Sequence, residues 1–240
     1  NKPGGGGATG MAYTATKPAD GYTLLAVTTN LVLTPALGNV EYTYEDFDPI
    51  ARIGLDASVI VSKADGPIQT VDDLIKLAKD KGNLNWGTFG VGTSDHVASA
   101  KFAKMAGINA SYVPFEGGGD AIAALMGGHV DVITDNPSEV ADQVAAGTLK
   151  IIGVFSEERW DAFPDVPTLK ELGYDINVET WRGVVVPKGT PPEIISYLDG
   201  VFQKAMGDEA FLKYLSDNMV KPAYMNSDDF RKFIGEQDTF

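Results

Sequence analysis

The stretch of this chain best suited to chemistry is Gly87-Thr88-Phe89-Gly90-Val91-Gly92-Thr93-Ser94-Asp95-His96, in which glycines and hydroxyl residues lead into an apolar-periodic segment that reads as a helix. A helix N-terminus carries backbone N–H groups outside the helical ladder and a partial positive charge, and glycines let that backbone approach an anion closely. A carboxylate or phosphate is the guest such a turn suits, with Thr88, Phe89, Gly90, Gly92, Thr93 and Ser94 as candidate contacts. The competing reading is that Thr93 or Ser94 only caps its own helix. His96, in the first helical turn, either donates to the same guest or is a packed, hydrogen-bonded histidine. The loop has no P-loop lysine and its glycine spacing is not the dinucleotide fingerprint, which removes the nucleotide readings.

A second cluster repeats the design. Residues 113–136 read as a strand, Gly117-Gly118-Gly119, a helix, a turn, a strand and then Asp135-Asn136. Gly117 and Gly118 either bring backbone to an anion or simply permit a tight strand-to-helix turn. Asp135 beside a bound carboxylate would repel it, so it reads as the cap of the next helix, with Asn136 as the ligand candidate.

The elements that must hold these residues alternate. A helix is expected over 8–17, a turn and buried strand over 18–27, and a β-branched strand region over 49–62. Thr70 announces a helix that ends near Gly82. Strands over 84–88, 111–114, 130–134 and 149–155 then alternate with helices over 93–106, 118–127 and 137–146, a rhythm that argues for parallel βαβ winding. A long strand over 176–186 and helices over 191–206, 208–217 and 227–238 complete the chain. In a parallel sheet both glycine loops fall at the carboxyl ends of strands, where ligands bind.

Composition sets outer limits. The 240 residues suit two small lobes, the net charge of −14 at pH 7 disfavours nucleic acid and anionic lipid, and no apolar run approaches a membrane span. With no cysteine and two histidines, disulfides, thiolate nucleophiles and cysteine zinc sites are excluded, and neither a metal nor a cofactor is expected. No signal peptide is visible, and the start at Asn1-Lys2-Pro3 before a glycine run reads as the middle of a domain, lacking an N-terminal strand and loop.

Taken in order, NKPGGGG (1–7), PADGYTLL (18–25), GTFGVGTSDH (87–96), VPFEGGGDAIAALMGGHVDV (113–132), FPDVPTLKELG (163–173) and WRGVVVPKGTP (181–191) resemble the solute receptors of tripartite tricarboxylate transporters, the Bug family. The resemblance spans nearly the whole chain. It implies a periplasmic, monomeric, two-lobed receptor that holds a small organic carboxylate in a cleft, chiefly through loop backbone and hydroxyl groups, and delivers it to the membrane components of the transporter. It adds Thr28, Thr29 and Asn30 to the site, and it places the family's first strand and loop ahead of Asn1 and a final helical segment after Phe240. Phe89 stands where the family usually has a small residue, and Trp181-Arg182 replaces a more frequent aromatic pair. Phe89 either walls the ligand or is core. Arg182 either pairs a distal carboxylate of the ligand or lies in a surface ion pair.

The expected fold is therefore α/β, periplasmic-binding-protein-like, with one lobe from 1–62 plus 185–240, the other from 63–184, and hinges near 60–64 and 183–187. A hydrolase or isomerase using Ser94, Asp95 and His96 is the rival. Its weakness is that residues two apart on a helix start point in different directions. A regulatory domain of a transcription factor would share the bilobal plan but needs a DNA-binding segment, which the sequence does not show.

Overall fold

Thr70 and Gly82 bracket the helix whose limits are clearest in the sequence. In the computed structural model, which describes Lys2, residues 4–38 and residues 40–237, this helix runs Val71–Lys81. Thr70 Oγ1 accepts from the Asp73 N–H at 3.1 Å, satisfying a first-turn donor. Gly82 closes it at φ 79°, a left-handed conformation that a side chain resists.

In chain order the described elements begin with α1 (Ala8–Ala15), β1 (Leu25–Thr28), α2 (Asn30–Ala36), β2 (Phe47–Ala57), β3 (Val59–Lys63) and α3 (Val71–Lys81). There follow β4 (Leu84–Phe89), α4 (Ser94–Ala106), β5 (Ala110–Phe115), α5 (Gly118–Met126), β6 (Val132–Asp135), α6 (Pro137–Ala145) and β7 (Leu149–Val154). The last are β8 (Glu179–Pro187), α7 (Pro192–Ala205), α8 (Glu209–Asp217), β9 (Lys221–Met225) and α9 (Ser227–Gln237). They belong to two units, Asn1–Asp56 with Thr180–Phe240, and Ala57–Glu179.

The unit of residues 57–179 is built on a sheet of order β5-β4-β6-β3-β7. β4 runs parallel to both β5 and β6, while β3 runs antiparallel to β6 and β7. The strands that alternate with helices thus share one direction, as the rhythm of the sequence predicts, and β3 runs against them. Trp86, Phe102, Leu74, Leu84 and Leu125 are fully buried here. The Trp86 indole donates to Thr134 Oγ1 at 2.9 Å, so its N–H is satisfied inside the core.

The other unit has a sheet of order β1-β8-β2-β9, with β1 antiparallel to β8 and β9 antiparallel to β2. One face carries Val27, Leu31, Phe47, Trp181, Val185 and Phe230; the other carries Ile50, Val184 and Val186 under Ile195, Leu198 and Phe202 of α7. Trp181 meets Phe230 edge-on at 5.2 Å. Gly183 is required by close approach, because a Cβ there would stand 2.6 Å from Phe230 Cε1 and 3.0 Å from the Ala51 carbonyl oxygen.

The strand region over 49–62 is corrected to two strands, β2 and β3, that lie in different sheets on either side of Ser58. The chain therefore passes between units at Ala57 and Thr180, and not at 62–63 and 184–185. Residues 60–64 and 183–187, expected as hinges, fall largely within paired strands: Val59–Lys63 along β7 and Arg182–Val185 along β1. An apolar run shows no break when both of its strands are buried, so its periodicity conceals the crossing. α2 and β9 are additions. The first contains Pro35, and the second opens with Lys221-Pro222, both signals against a regular element. Asn1 and Pro3, on which the expectation of a missing N-terminal piece partly rests, and residues 238–240 lie outside the described residues.

Candidate functional site

The turn after β4 owes its shape to Gly90 and Gly92, at φ 71° and φ 75°, which bend the chain from the strand into α4. Gly87 serves packing instead: a Cβ there would lie 2.9 Å from Ile133 Cγ2 and 3.0 Å from Phe115 Cε2. Thr93 occupies the position before α4 without capping it; its hydroxyl turns back and donates to the Phe89 carbonyl. Thr88, also buried, donates to the Gly90 carbonyl at 3.3 Å. Phe89 is half-buried, Ser94 is buried and Val91 at the tip is exposed. The ladder of α4 begins with Val97 N–H to Thr93 O at 2.9 Å, so the amides of Ser94, Asp95 and His96 precede it.

His96 is a structural member of this turn. Its Nδ1 accepts from the Gly92 N–H at 2.9 Å, which leaves the neutral ring's proton on Nε2, and the ring lies 4.7 Å from that of Tyr112. Burial lowers its pKa from 6.5 and raises that of Tyr112, in each case by disfavouring the charged form. Asp95, buried in the first turn of α4, accepts from Ser58 Oγ at 2.9 Å. The imidazole nitrogen that would activate a serine is thus engaged by backbone, and Asp95 faces Ser58. Ser58 was not among the expected site residues, and Asp95 was named only in the rival hydrolase reading. The signal for this contact was Asp95 itself, an acid at a helix start, where the dipole stabilises it.

At the second cluster Gly117 precedes α5 in an extended conformation. A Cβ on Gly118 would collide with Glu139 Oε2 and stand 2.9 Å from Asp135 Oδ2. The N-terminus of α5 therefore faces the protein's own carboxylates, and Gly118 is needed for their approach. Asp135 accepts from the Asn136 N–H at 2.8 Å, and the residue at the cap position of α6 is Asn136, with Pro137 the first helical residue. Asn136 Nδ2 donates to the Ala57 carbonyl at 3.0 Å and ties the start of α6 to the backbone beside β3. Because β4, β5 and β6 are adjacent and parallel, the starts of α4, α5 and α6 gather at one end of this sheet.

In the other unit Thr28 Oγ1 accepts from the Asn30 N–H at 3.4 Å, and Thr29 Oγ1 accepts from the Trp181 N–H at 3.3 Å. Asn30 Nδ2 donates to the Gly6 carbonyl at 3.2 Å, linking the glycine run to α2. Arg182 stands directly across from Thr28 in the β1–β8 pair. Its Nε donates to Asp56 Oδ2 at 3.1 Å and its Nη2 donates to the same oxygen. The Arg182 side chain is 33% exposed and that of Asp56 is fully buried. Asp56 was also missed, although an acid inside the apolar run GLDASVIV must find a partner.

Among the described residues no group of three or more His, Asp or Glu could hold a metal, and no helix is long and apolar enough to cross a membrane. The family model of the tripartite tricarboxylate transporter family receptor matches residues 1–239. The chain is 34% identical over 238 residues to the UPF0065 protein in the gbd 5' region of Cupriavidus necator, a match covering 98% of this chain and 72% of that protein. It is similar to a ligand-free TctC solute-binding protein from Polaromonas at 36% identity and a TM-score of 0.76, covering 100% of this chain and 83% of that one. Rpa4515 of R. palustris, solved with adipate, is 25% identical with a TM-score of 0.93 and coverage of 98% and 81%. The α/β architecture is that of periplasmic solute-binding proteins, as the family resemblance implied. With the model matched from end to end and a relative above 30% identity, the chain belongs to the tripartite tricarboxylate transporter receptor family.

Proposed function

We propose that this protein is a periplasmic receptor that binds a small organic carboxylate and delivers it, chemically unchanged, to the membrane components of a tripartite tricarboxylate transporter. The observation that carries the reading is the family match over residues 1–239. The adipate held by the R. palustris neighbour supports a carboxylate as the ligand class. We assign the carboxylate to the turn Gly90–Ser94, with Thr88, Phe89 and His96 shaping it, because that turn joins a strand end to a helix start through two left-handed glycines. The second glycine turn is a weaker candidate, since Asp135 and Glu139 already face it. The hydrolase reading is disfavoured by His96, whose Nδ1 is taken by the Gly92 N–H.

The test is a thermal-shift and calorimetric screen of mono-, di- and tricarboxylates, adipate included, followed by mass analysis of the recovered ligand. A ligand at about 100 times its Kd stabilises the folded state by about 2.7 kcal/mol. Absence of any shift across the panel, or recovery of a converted ligand, overturns the proposal.

A further inference from the structure

Arg231, Ile234 and Gly235 stand three and four residues apart on α9 and so share one face of that helix. Within the same unit this face lines a cavity of about 490 Å³, in the size range of small-molecule sites (about 300–1,000 Å³). Phe47, Pro49 and Ile234 are buried and give it an apolar floor, and Tyr44 adds an aromatic wall. Gly235 keeps it open, because among the described residues a Cβ there would meet nothing within 4 Å. No described neighbour demands this glycine, although glycine inside a helix is destabilising relative to alanine. The charges of the cavity are arranged about one buried acid. Asp48 Oδ1 accepts from Lys188 Nζ at 3.2 Å and from Arg231 Nη2 at 3.0 Å, and its Oδ2 accepts from the Gly189 N–H at 2.8 Å. Burial alone would raise the Asp48 carboxyl, but these three donors hold it below its ordinary value, so it is a carboxylate at neutral pH. One negative charge thus meets two positive ones, and both cations are exposed on the cavity wall. An ammonium has three N–H donors and a guanidinium five, so each keeps donors that Asp48 does not use. The surplus positive charge is answered on the same wall by Glu45, an exposed acid.

We propose that this cavity is a further ligand site, for a free amino acid with an aromatic or branched apolar side chain. Its carboxylate meets Lys188 and Arg231, its ammonium meets Glu45, and its side chain lies on the floor of Phe47, Pro49 and Ile234. The site uses none of the residues of the Gly90–Ser94 turn and does not depend on the receptor reading. A ligand with a carboxylate alone would set like charge against Glu45, and an amine alone would set like charge against two cations, so the zwitterion is the complement of the whole wall. Asp48 holds both cations in place before a ligand arrives, so less side-chain freedom is lost on binding.

The experiment titrates the intact protein calorimetrically with L-phenylalanine, 3-phenylpropanoate and phenethylamine, which carry the same ring with both charges, the anion only and the cation only. L-Phenylalanine should bind most tightly. Glu45→Gln should lower the ratio of L-phenylalanine to 3-phenylpropanoate affinity about fivefold, the upper worth of an exposed ion pair. Arg231→Gln should weaken L-phenylalanine about tenfold, the worth of a charge-assisted hydrogen bond, and leave phenethylamine no weaker. Gly235→Leu fills the cavity and should abolish binding of all three, with no fall in the urea midpoint, since its Cβ meets no described neighbour. Failure of L-phenylalanine to bind, equally tight binding of either singly charged compound, or binding that survives Gly235→Leu overturns the inference. If Gly235→Leu does not fold, the two substitutions of exposed side chains decide: affinities and ratios unchanged in Glu45→Gln and Arg231→Gln overturn it. The carboxylate screen stands apart from these outcomes, and its failure would count against the receptor reading alone.

Discussion

Replacing Arg182 with Met should remove the cation that pairs with the buried Asp56 carboxylate. Breaking a fully buried ion pair by removing one partner costs about 3–5 kcal/mol, because the remaining charge has lost its compensation. Asp56 meets that condition, with none of its side chain exposed, but Arg182 is 33% exposed and water can follow the shorter side chain inward. The expected loss is therefore at the lower edge, about 2–3 kcal/mol. Removing both charges in D56N/R182M should return the protein to within about 1.5 kcal/mol of wild type, because an uncharged amide is far cheaper to bury than a carboxylate. Urea unfolding followed through tryptophan fluorescence in a W86F/W160F background, which leaves Trp181 as the single indole, reads the loss in this unit, and hydrogen exchange over Thr180–Pro187 reads it in the strand that carries Arg182. Trp181 is buried against Phe230, so its emission reports on this unit's core. A loss under about 0.5 kcal/mol for R182M, or a double variant no more stable than the single one, would refute the claim that the pair compensates a buried charge.

Gly87→Ala should destabilise the unit of residues 57–179 by about 1–3 kcal/mol, since the new methyl meets Ile133 and Phe115 across neighbouring strands. Wild-type stability in a denaturant titration would show that the core yields there. Thr134→Val should cost about 1–3 kcal/mol by leaving the buried Trp86 indole N–H without an acceptor, measured by the same titration. Burial holds the His96 pKa below 6.5, so the unfolded chain takes up a proton that the folded chain resists. The contribution is complete above pH 6.5 and declines as the pH falls below it, until the folded state is protonated as well. Urea midpoints across that range should slope in the wild type and flatten in His96→Phe, and the protection factor of the Gly92 amide, corrected for the intrinsic rate, should fall on acidification as its acceptor is lost; parallel slopes in the two proteins would contradict the assignment.

Most elements of this chain were readable because local signals agreed with the global fold. Thr70 and Gly82 mark a helix by a cap and a left-handed stop, and the alternation from Leu84 onward gives strands sharing one direction because each helix returns the chain to the same end of the sheet. The glycine turns were equally visible, since the positive φ of Gly90 and Gly92 is a demand that sequence can express. What the individual glycines and hydroxyls do was not. Gly87 and Gly118 answer to atoms of Ile133, Phe115, Asp135 and Glu139, which lie far along the chain, and Thr93 chose the Phe89 carbonyl over a helix cap.

Sequence alone determined the α/β class, the family resemblance and the position of the glycine-rich turns, because these depend on periodicity, backbone conformation and ordered motifs within short spans. Tertiary structure alone decided where the chain changes sheets at Ser58, which partner Arg182 takes, and how His96 is used. Asp56 and Arg182 are separated by more than half the chain, and only the pairing of β1, β8 and β2 brings their side chains to one face. An acid in an apolar run states that a partner must exist, because a buried charge cannot stand alone, but which cation answers it is set by strand order and register.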